Sequence, residues 1–412
     1  FSSYILAIGR ALGETMTVTM LIGNTKAATV VVTNSGSLVV SSSVAVGNQP
    51  GSSGTLLVAD GGTVSMGGSL IFCNRNASTS GRVDLGRGGV IAAWNAYRSN
   101  NGSATFNFDG GTFKKSSGTG DIFGASGVDV VVSEKGGTID NNGLAITIPC
   151  TITGEGGLTL SGAGTTTVSA DQSYTGTTTV SNGTTLSVGG GVTFAGPLAL
   201  EAGSTLNLVS YTHGVTPVVA SALALPESGT VALTMNGGAF PVGMYAICSA
   251  TGGVAASDGA KFAPSTGTLG TTWRVENNAL ILTVGEVSDN YWTGRGGDSK
   301  MSTAANWLNG VPAAGATVII QSTGGAIVND IENFSPASIT FSAGSGSVTI
   351  DGEKAINVTA ITNLSASVQN IACRVNFDET YRVHCATQPV NFSGGAYATY
   401  PDASITSDTM AS

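Results

Sequence analysis

Apolar and polar residues alternate along most of this chain in runs of four to seven, a period of two that places successive side chains on opposite faces of an extended strand. Gly54-Thr55-Leu56-Leu57-Val58, Ser103-Ala104-Thr105-Phe106-Asn107-Phe108 and Val128-Asp129-Val130-Val131-Val132 are examples. No stretch between them carries a helical period. The runs are punctuated by a recurring phrase: Asp60-Gly61-Gly62-Thr63, Arg87-Gly88-Gly89-Val90, Asp109-Gly110-Gly111-Thr112 and Lys135-Gly136-Gly137-Thr138. Its first glycines stand 27, 22 and 26 residues apart. Periods of this length belong to stacked repeats, in which no coil buries its apolar face alone. A glycine pair lets the chain turn a corner at positive φ and begin the next strand. The predicted fold is therefore all-β, a right-handed parallel β-helix (solenoid), with a short N-terminal segment of helical character and no helix longer than about 12 residues.

Composition fits a folded solenoid. Of 412 residues 60 are glycine, 41% are hydrophobic and 10% are charged, against a usual charged fraction of about 25%. Disorder needs the reverse balance. The net charge is −9 and argues against a phosphate-neutralising surface, so nucleic acid is not an expected partner. Anionic membrane surfaces are disfavoured for the same reason.

One stretch carries a family resemblance. Gly156-Gly157-Leu158-Thr159-Leu160-Ser161, continuing through Tyr174-Thr175-Gly176-Thr177-Thr178-Thr179-Val180, Asn182-Gly183 and Thr185-Leu186-Ser187-Val188-Gly189, resembles the autotransporter-associated β-strand repeat over 156–189. The match is a strand, a Tyr-Thr-Gly turn, a second strand, an Asn-Gly corner and a third strand. Ile139-Asp140-Asn141-Asn142-Gly143 resembles the lead-in to that repeat. Gly243-Met244-Tyr245 through Trp273 and Asn277-Asn278-Ala279-Leu280-Ile281-Leu282-Thr283-Val284 resembles the module that closes it. Tyr291-Trp292-Thr293-Gly294, Ser302-Thr303-Ala304-Ala305-Asn306-Trp307 and Gly310-Val311-Pro312 resemble the opening motif of such passengers, with Met301 where the family has tryptophan. The resemblance implies a passenger-type β-helix at the extracellular or outer-membrane surface of a bacterium. Its implied partners are host or environmental glycans or surface proteins, with membrane contact only through the N-terminal segment or an anchor outside this sequence.

A second resemblance is confined to residues 7–24. Gly9-Arg10-Ala11-Leu12-Gly13-Glu14-Thr15-Met16 resembles a segment of phosphate-specific ABC transporter permeases, as a gene fusion or an assembly junction would produce. Arg10 and Glu14 lie four apart, as an ion pair on one helical face requires, and they interrupt what would otherwise be a signal-peptide core. A permease needs several apolar spans of about 20 residues, and none follows. The expected organisation is a permease-like apolar segment at 1–27, a β-helix over 28–285 and a second, truncated β-rich unit over 286–412, with 1–24 packing apart from the solenoid core.

Candidate chemistry is sparse. Five cysteines, Cys73, Cys150, Cys248, Cys373 and Cys385, are scattered and odd in number, so they read as small buried hydrophobes rather than a disulfide framework. Cys373, His384 and Cys385 are metal-ligand types, but their spacing matches no zinc motif. Trp292 and Trp307 are expected to cover the open end of a coil, with stacking on sugar as the lesser reading. Asp84, Asp109, Asp121, Asp129 and Asp140 sit one per strand or turn, where turn hydrogen bonding explains them. Stacking would bring residues one period apart to about 4.8 Å, and Asp60, Arg87, Asp109 and Lys135 would form an ion ladder rather than a carboxylate pair. His213 and His384 are the only histidines, little general-base capacity. Gly344-Ser345-Gly346-Ser347 reads as a turn rather than a nucleophile elbow. Gly86-Arg87-Gly88-Gly89 and Gly294-Arg295-Gly296-Gly297 lack the ending of a phosphate loop. No catalytic, cofactor-binding or metal residue is therefore assigned, and the chain is expected to be a non-enzymatic stalk or adhesin. The alternatives are a carbohydrate-binding or polysaccharide-degrading β-helix and a permease fragment.

Overall fold

The computed structural model describes residues 20–22, 27–74, 78–209, 211–267, 269–285, 289–398 and 406–409. The chain forms two compact units, one comprising 1–209, 217–237 and 248–263 and the other 210–216, 238–247 and 264–412. They interleave along the sequence.

The first unit is a parallel β-solenoid with three faces. One face begins with Met20–Ile22, Val44–Val46, Leu70–Phe72 and Ala96–Arg98, and a bridge from Ala96 to Phe123 carries it towards the seven-stranded sheet that includes Ala145–Ile148 and Thr165–Val168. The second starts with the six strands from Ala27–Val32 to Thr153–Gly154. The third is one nine-stranded sheet from Ser37–Val40 to Leu223–Ala224. Thr63 pairs with Val90, Val90 with Thr112, and Thr112 with Thr138. These are the 27-, 22- and 26-residue steps of the glycine phrase, so the repeat read in the sequence is the coil of the fold.

Alternation becomes packing through this register. On Ser53–Val58 and Ser103–Asp109 every second residue is buried. Parallel pairing without slippage stacks like on like: Leu56, Val83, Phe106 and Val130 form one interior column and Val64, Ile91, Phe113, Ile139, Leu160, Val180 and Leu200 another. Each such side chain contributes about 1.5–3 kcal/mol on burial. Phe106, Phe108, Phe113 and Phe123 fill the middle of the unit with rings 4.9–6.3 Å apart.

The corners are built from glycine and buried amides. Gly61, Gly88, Gly110 and Gly136 all have positive φ, and the second glycine of the phrase has no room for a side chain, since a Cβ on Gly89 would lie 2.3 Å from the Val58 carbonyl oxygen. Asn141 is fully buried; its Oδ1 accepts from the backbone of Gly143 (3.0 Å) and Gly164 (2.9 Å), and its Nδ2 donates to Thr166 (3.3 Å). One side chain thus satisfies donors from two successive coils. Across 156–189 the order strand, Tyr-Thr-Gly turn, strand, Asn-Gly corner, strand is present, with Tyr174 buried and its hydroxyl 2.6 Å from Thr178 Oγ1.

Residues 1–19 and 23–26, where most of the permease-like segment falls, lie outside the described residues. Met20–Ile22 is a strand in register with Val44–Val46, and Ile22 is buried. The helical character expected of 1–27 and its separation from the core do not extend to these three residues, because an apolar triplet beside an unpaired strand edge gains both hydrogen bonds and burial by joining it. Among the described residues no helix is long and apolar enough to cross a membrane, and the two helical turns, Ala256–Lys261 and Ala304–Asn306, span six and three residues.

The second unit also stacks parallel coils. Ser338–Phe341 pairs with residues of Ile356–Asn363, which pairs with Val375–Cys385, while Gly325–Val328, Val348–Asp351, Gln369–Ile371 and Val390–Phe392 form another face. A register shift between Val358 and Ala360 interrupts the ladder of this long strand. Buried Asn363 and Gln369 bond backbone at the corners, as Asn141 does in the first unit. Thr271–Glu276 and Ala279–Val284 depart from the pattern as an antiparallel hairpin.

Candidate functional site

The residues singled out from sequence are mostly structural in their placement. Asp84 pairs with Arg82 at 2.6 Å and accepts from Asn107, Asp109 pairs with Lys135 at 2.7 Å, and Asp140 pairs with Lys114 at 3.3 Å. The Asp109–Lys135 contact is one rung of the expected ion ladder. Register neighbours of the acids are not acidic: Asp84 stands beside Asn107, Asp109 beside Gly86, Asp129 beside Thr105, Asp121 beside Thr147, and Asp140 beside Lys114 and Ser161. No two of these five carboxylates are therefore direct register partners.

The cysteines follow the packing expectation. Cys73, Cys150, Cys248 and Cys373 are buried and Cys385 is half-buried, all as free thiols. Burial pushes the Cys150 and Cys373 thiols up to about 11 and that of Cys248 to about 12. Cys385 packs on the core that contains Cys373, whereas His384, its neighbour on the strand, alternates to the other face. Trp292 and Trp307 meet edge to face at 5.0 Å, each 4% exposed, over a fully buried Met301 whose carbonyl accepts from Trp307 Nε1 at 2.7 Å. Trp292 lies on Asn290–Trp292, the terminal strand of its seven-stranded sheet. This is the covering role expected of the pair. Ser345, in the Gly344–Ser347 turn, is buried and donates to the Ile320 carbonyl.

A different constellation lies in the second unit, around a cavity of about 220 Å³. The hairpin positions its charge. Asn277 and Asn278 have φ of 48° and 60°, the geometry of a two-residue turn with both central residues left-handed, which matches strand twist. Arg274 and Glu276, two apart on one strand, share a face and meet at 3.2 Å. Glu276 also receives Arg295 from the Gly294–Gly297 loop, so one carboxylate serves two guanidinium groups. Arg274 further donates to Thr283 Oγ1 at 2.8 Å and to the Met244 thioether at 3.2 Å.

Tyr211 and His213 complete the polar wall. The Tyr211 hydroxyl accepts from the Ala246 amide at 3.0 Å, and burial pushes it up to about 12. Burial also lowers the His213 imidazole from its ordinary value, favouring the neutral ring. The pKa values of Arg274 and Arg295 are lowered by desolvation first, and that of Arg295 also by the charge of Arg274. His213 Nδ1 and Arg274 Nε are buried polar atoms without a hydrogen-bond partner. Sequence reading placed His213 and the Arg295 loop but not this grouping; the signal present was the Arg-x-Glu spacing on an alternating strand before Asn-Asn.

No family model, no curated protein and no solved structure matches this chain. The likenesses to the autotransporter-associated repeat and to the permease segment rest on the quoted residues alone.

Proposed function

We propose that this protein is a non-enzymatic β-helix passenger of the bacterial surface, acting as a stalk or adhesin. The observation that carries the reading is the parallel register of the first unit, coil on coil, with apolar columns inside and threonine, serine and asparagine outside. Such a surface solvates a long sheet without requiring a cleft. The pairing of Asp84, Asp109 and Asp140 with Arg82, Lys135 and Lys114 along the open sheet supports the same reading, because glycoside hydrolysis by paired carboxylates requires two such groups facing one substrate in one site. The resemblance of 156–189 to the autotransporter-associated repeat supports a surface location and partners among glycans or surface proteins.

Protease treatment of intact cells of the source bacterium tests the location. The expected outcome is loss of the full-length polypeptide from whole cells while cytoplasmic markers survive; full protection until lysis would remove the surface assignment. Incubation with pectin, alginate and host glycans tests the absence of catalysis. No release of reducing ends is expected, and depolymerisation abolished by Asp84→Asn, Asp109→Asn or Asp140→Asn would replace this reading with the polysaccharide-degrading one.

A further inference from the structure

We propose that the cavity bounded by His213, Arg274, Glu276 and Arg295 is a binding site for a small organic carboxylate. The inference goes beyond the stalk reading and stands independently of it. The chain as a whole carries a charge of −9, yet at this point two guanidinium groups converge on one carboxylate, leaving a local excess of one positive charge in a partly desolvated setting. A guanidinium presents five N–H donors in a planar fork that fits a carboxylate bidentately. Arg274 uses its donors poorly: one goes to a thioether, a weak acceptor, and Nε has no partner. An unmet buried donor costs about 1–3 kcal/mol, and an arriving oxyanion would offset that cost. Neutral His213, with its own unpartnered Nδ1, adds a donor or acceptor that leaves the charge balance unchanged.

The rest of the lining selects an organic anion over an inorganic one. Met244 and Ile281 contribute apolar wall, which favours a ligand with a carbon skeleton over sulfate or phosphate. Apolar lining with a few convergent polar groups is the usual composition of a small-molecule site.

Titration of the full chain by isothermal calorimetry tests this, with glucuronate and succinate as carboxylate probes, glucose as the neutral counterpart and sulfate as the inorganic one. Saturable binding of at least one carboxylate is expected, tighter than either control; glucuronate over succinate would indicate a sugar acid, and the reverse a dicarboxylic acid. Arg295→Gln, at a half-exposed side chain, should weaken binding about tenfold, corresponding to 1.4 kcal/mol, with an unchanged circular dichroism spectrum. Arg295→Lys should recover part of it, since the charge returns without the fork. Glu276→Gln should tighten binding by removing the competing carboxylate. Absence of carboxylate binding up to roughly 10 mM, equal binding of glucose or sulfate, or full affinity in Arg295→Gln would each overturn the proposal.

Discussion

At the scale of single residues, glycines at different corners are required for different reasons, and substitution should separate them. Gly183 is in open space at a φ of 78°, whereas Gly89 has ordinary φ but faces the Val58 carbonyl at 2.3 Å from an added Cβ. Gly183→Ala should cost about 1–2 kcal/mol, the price of a left-handed residue with a side chain. Gly89→Ala must push two coils apart and should cost more, about 3 kcal/mol or above; urea midpoints of the two variants compare them. Thiol chemistry offers a second test. Ellman's reagent at pH 8 should find one fast cysteine in the native chain, half-buried Cys385, with the other four released only on unfolding. Because burial raises the folded values of Cys150, Cys248 and Cys373 above the ordinary 9.0, the folded state holds those protons more tightly. Their contribution is complete below pH 9 and is lost as pH rises towards 11–12. His213 has the opposite sign: its folded value lies below 6.5, so its contribution is present above that pH and lost as the medium is acidified. His213→Gln should flatten the acid limb of a stability profile between pH 7 and 5.

At the scale of elements, much was legible because strand period and corner chemistry agree. The glycine phrase fixed the coil length over 61–138, and the Tyr-Thr-Gly and Asn-Gly signals located turns at Tyr174 and Gly183. The corner amides were harder to see. Asn141 lies in a run of polar residues that reads as an ordinary turn, and only the register shows that it reaches Gly164 and Thr166 of the next coil. Asn141→Ala is expected to cost about 1–2 kcal/mol by removing the acceptor of the Gly143 and Gly164 amides and the buried bond to Thr166; a loss under about 0.5 kcal/mol in urea unfolding would show that water replaces it. The basic cavity was illegible for a related reason. Arg274, Arg295 and His213 come from three separated segments, and no local spacing encodes their meeting. The strand at Met20–Ile22 was obscured by the helical look of the residues before it, and edge pairing outweighed local preference there.

At the scale of the molecule, each solenoid unit has nearest-neighbour energetics, since a coil touches chiefly the coils on either side. The direction of the hydrogen bonds then has a mechanical meaning. In the first unit the strands of successive coils pair in parallel, so the ladders run along the stack while the strands run around it. Tension applied along the stack loads the bonds of one coil at a time, as in opening a zipper, and not many together as in shearing two strands past each other. The register steps vary, from 27 residues between Thr63 and Val90 to 20 between Thr159 and Thr179 and back to 27 between Thr205 and Ala232. Each released coil should therefore lengthen the chain by about 90 Å for the longest coils and about 65 Å for the shortest, at roughly 3.3 Å per residue. Single-molecule pulling is expected to show a staircase of small, low-force steps with those increments; one large cooperative rupture would contradict it. A tether that yields in this way absorbs a sudden load by lengthening, and it rewinds one coil at a time when the load is removed.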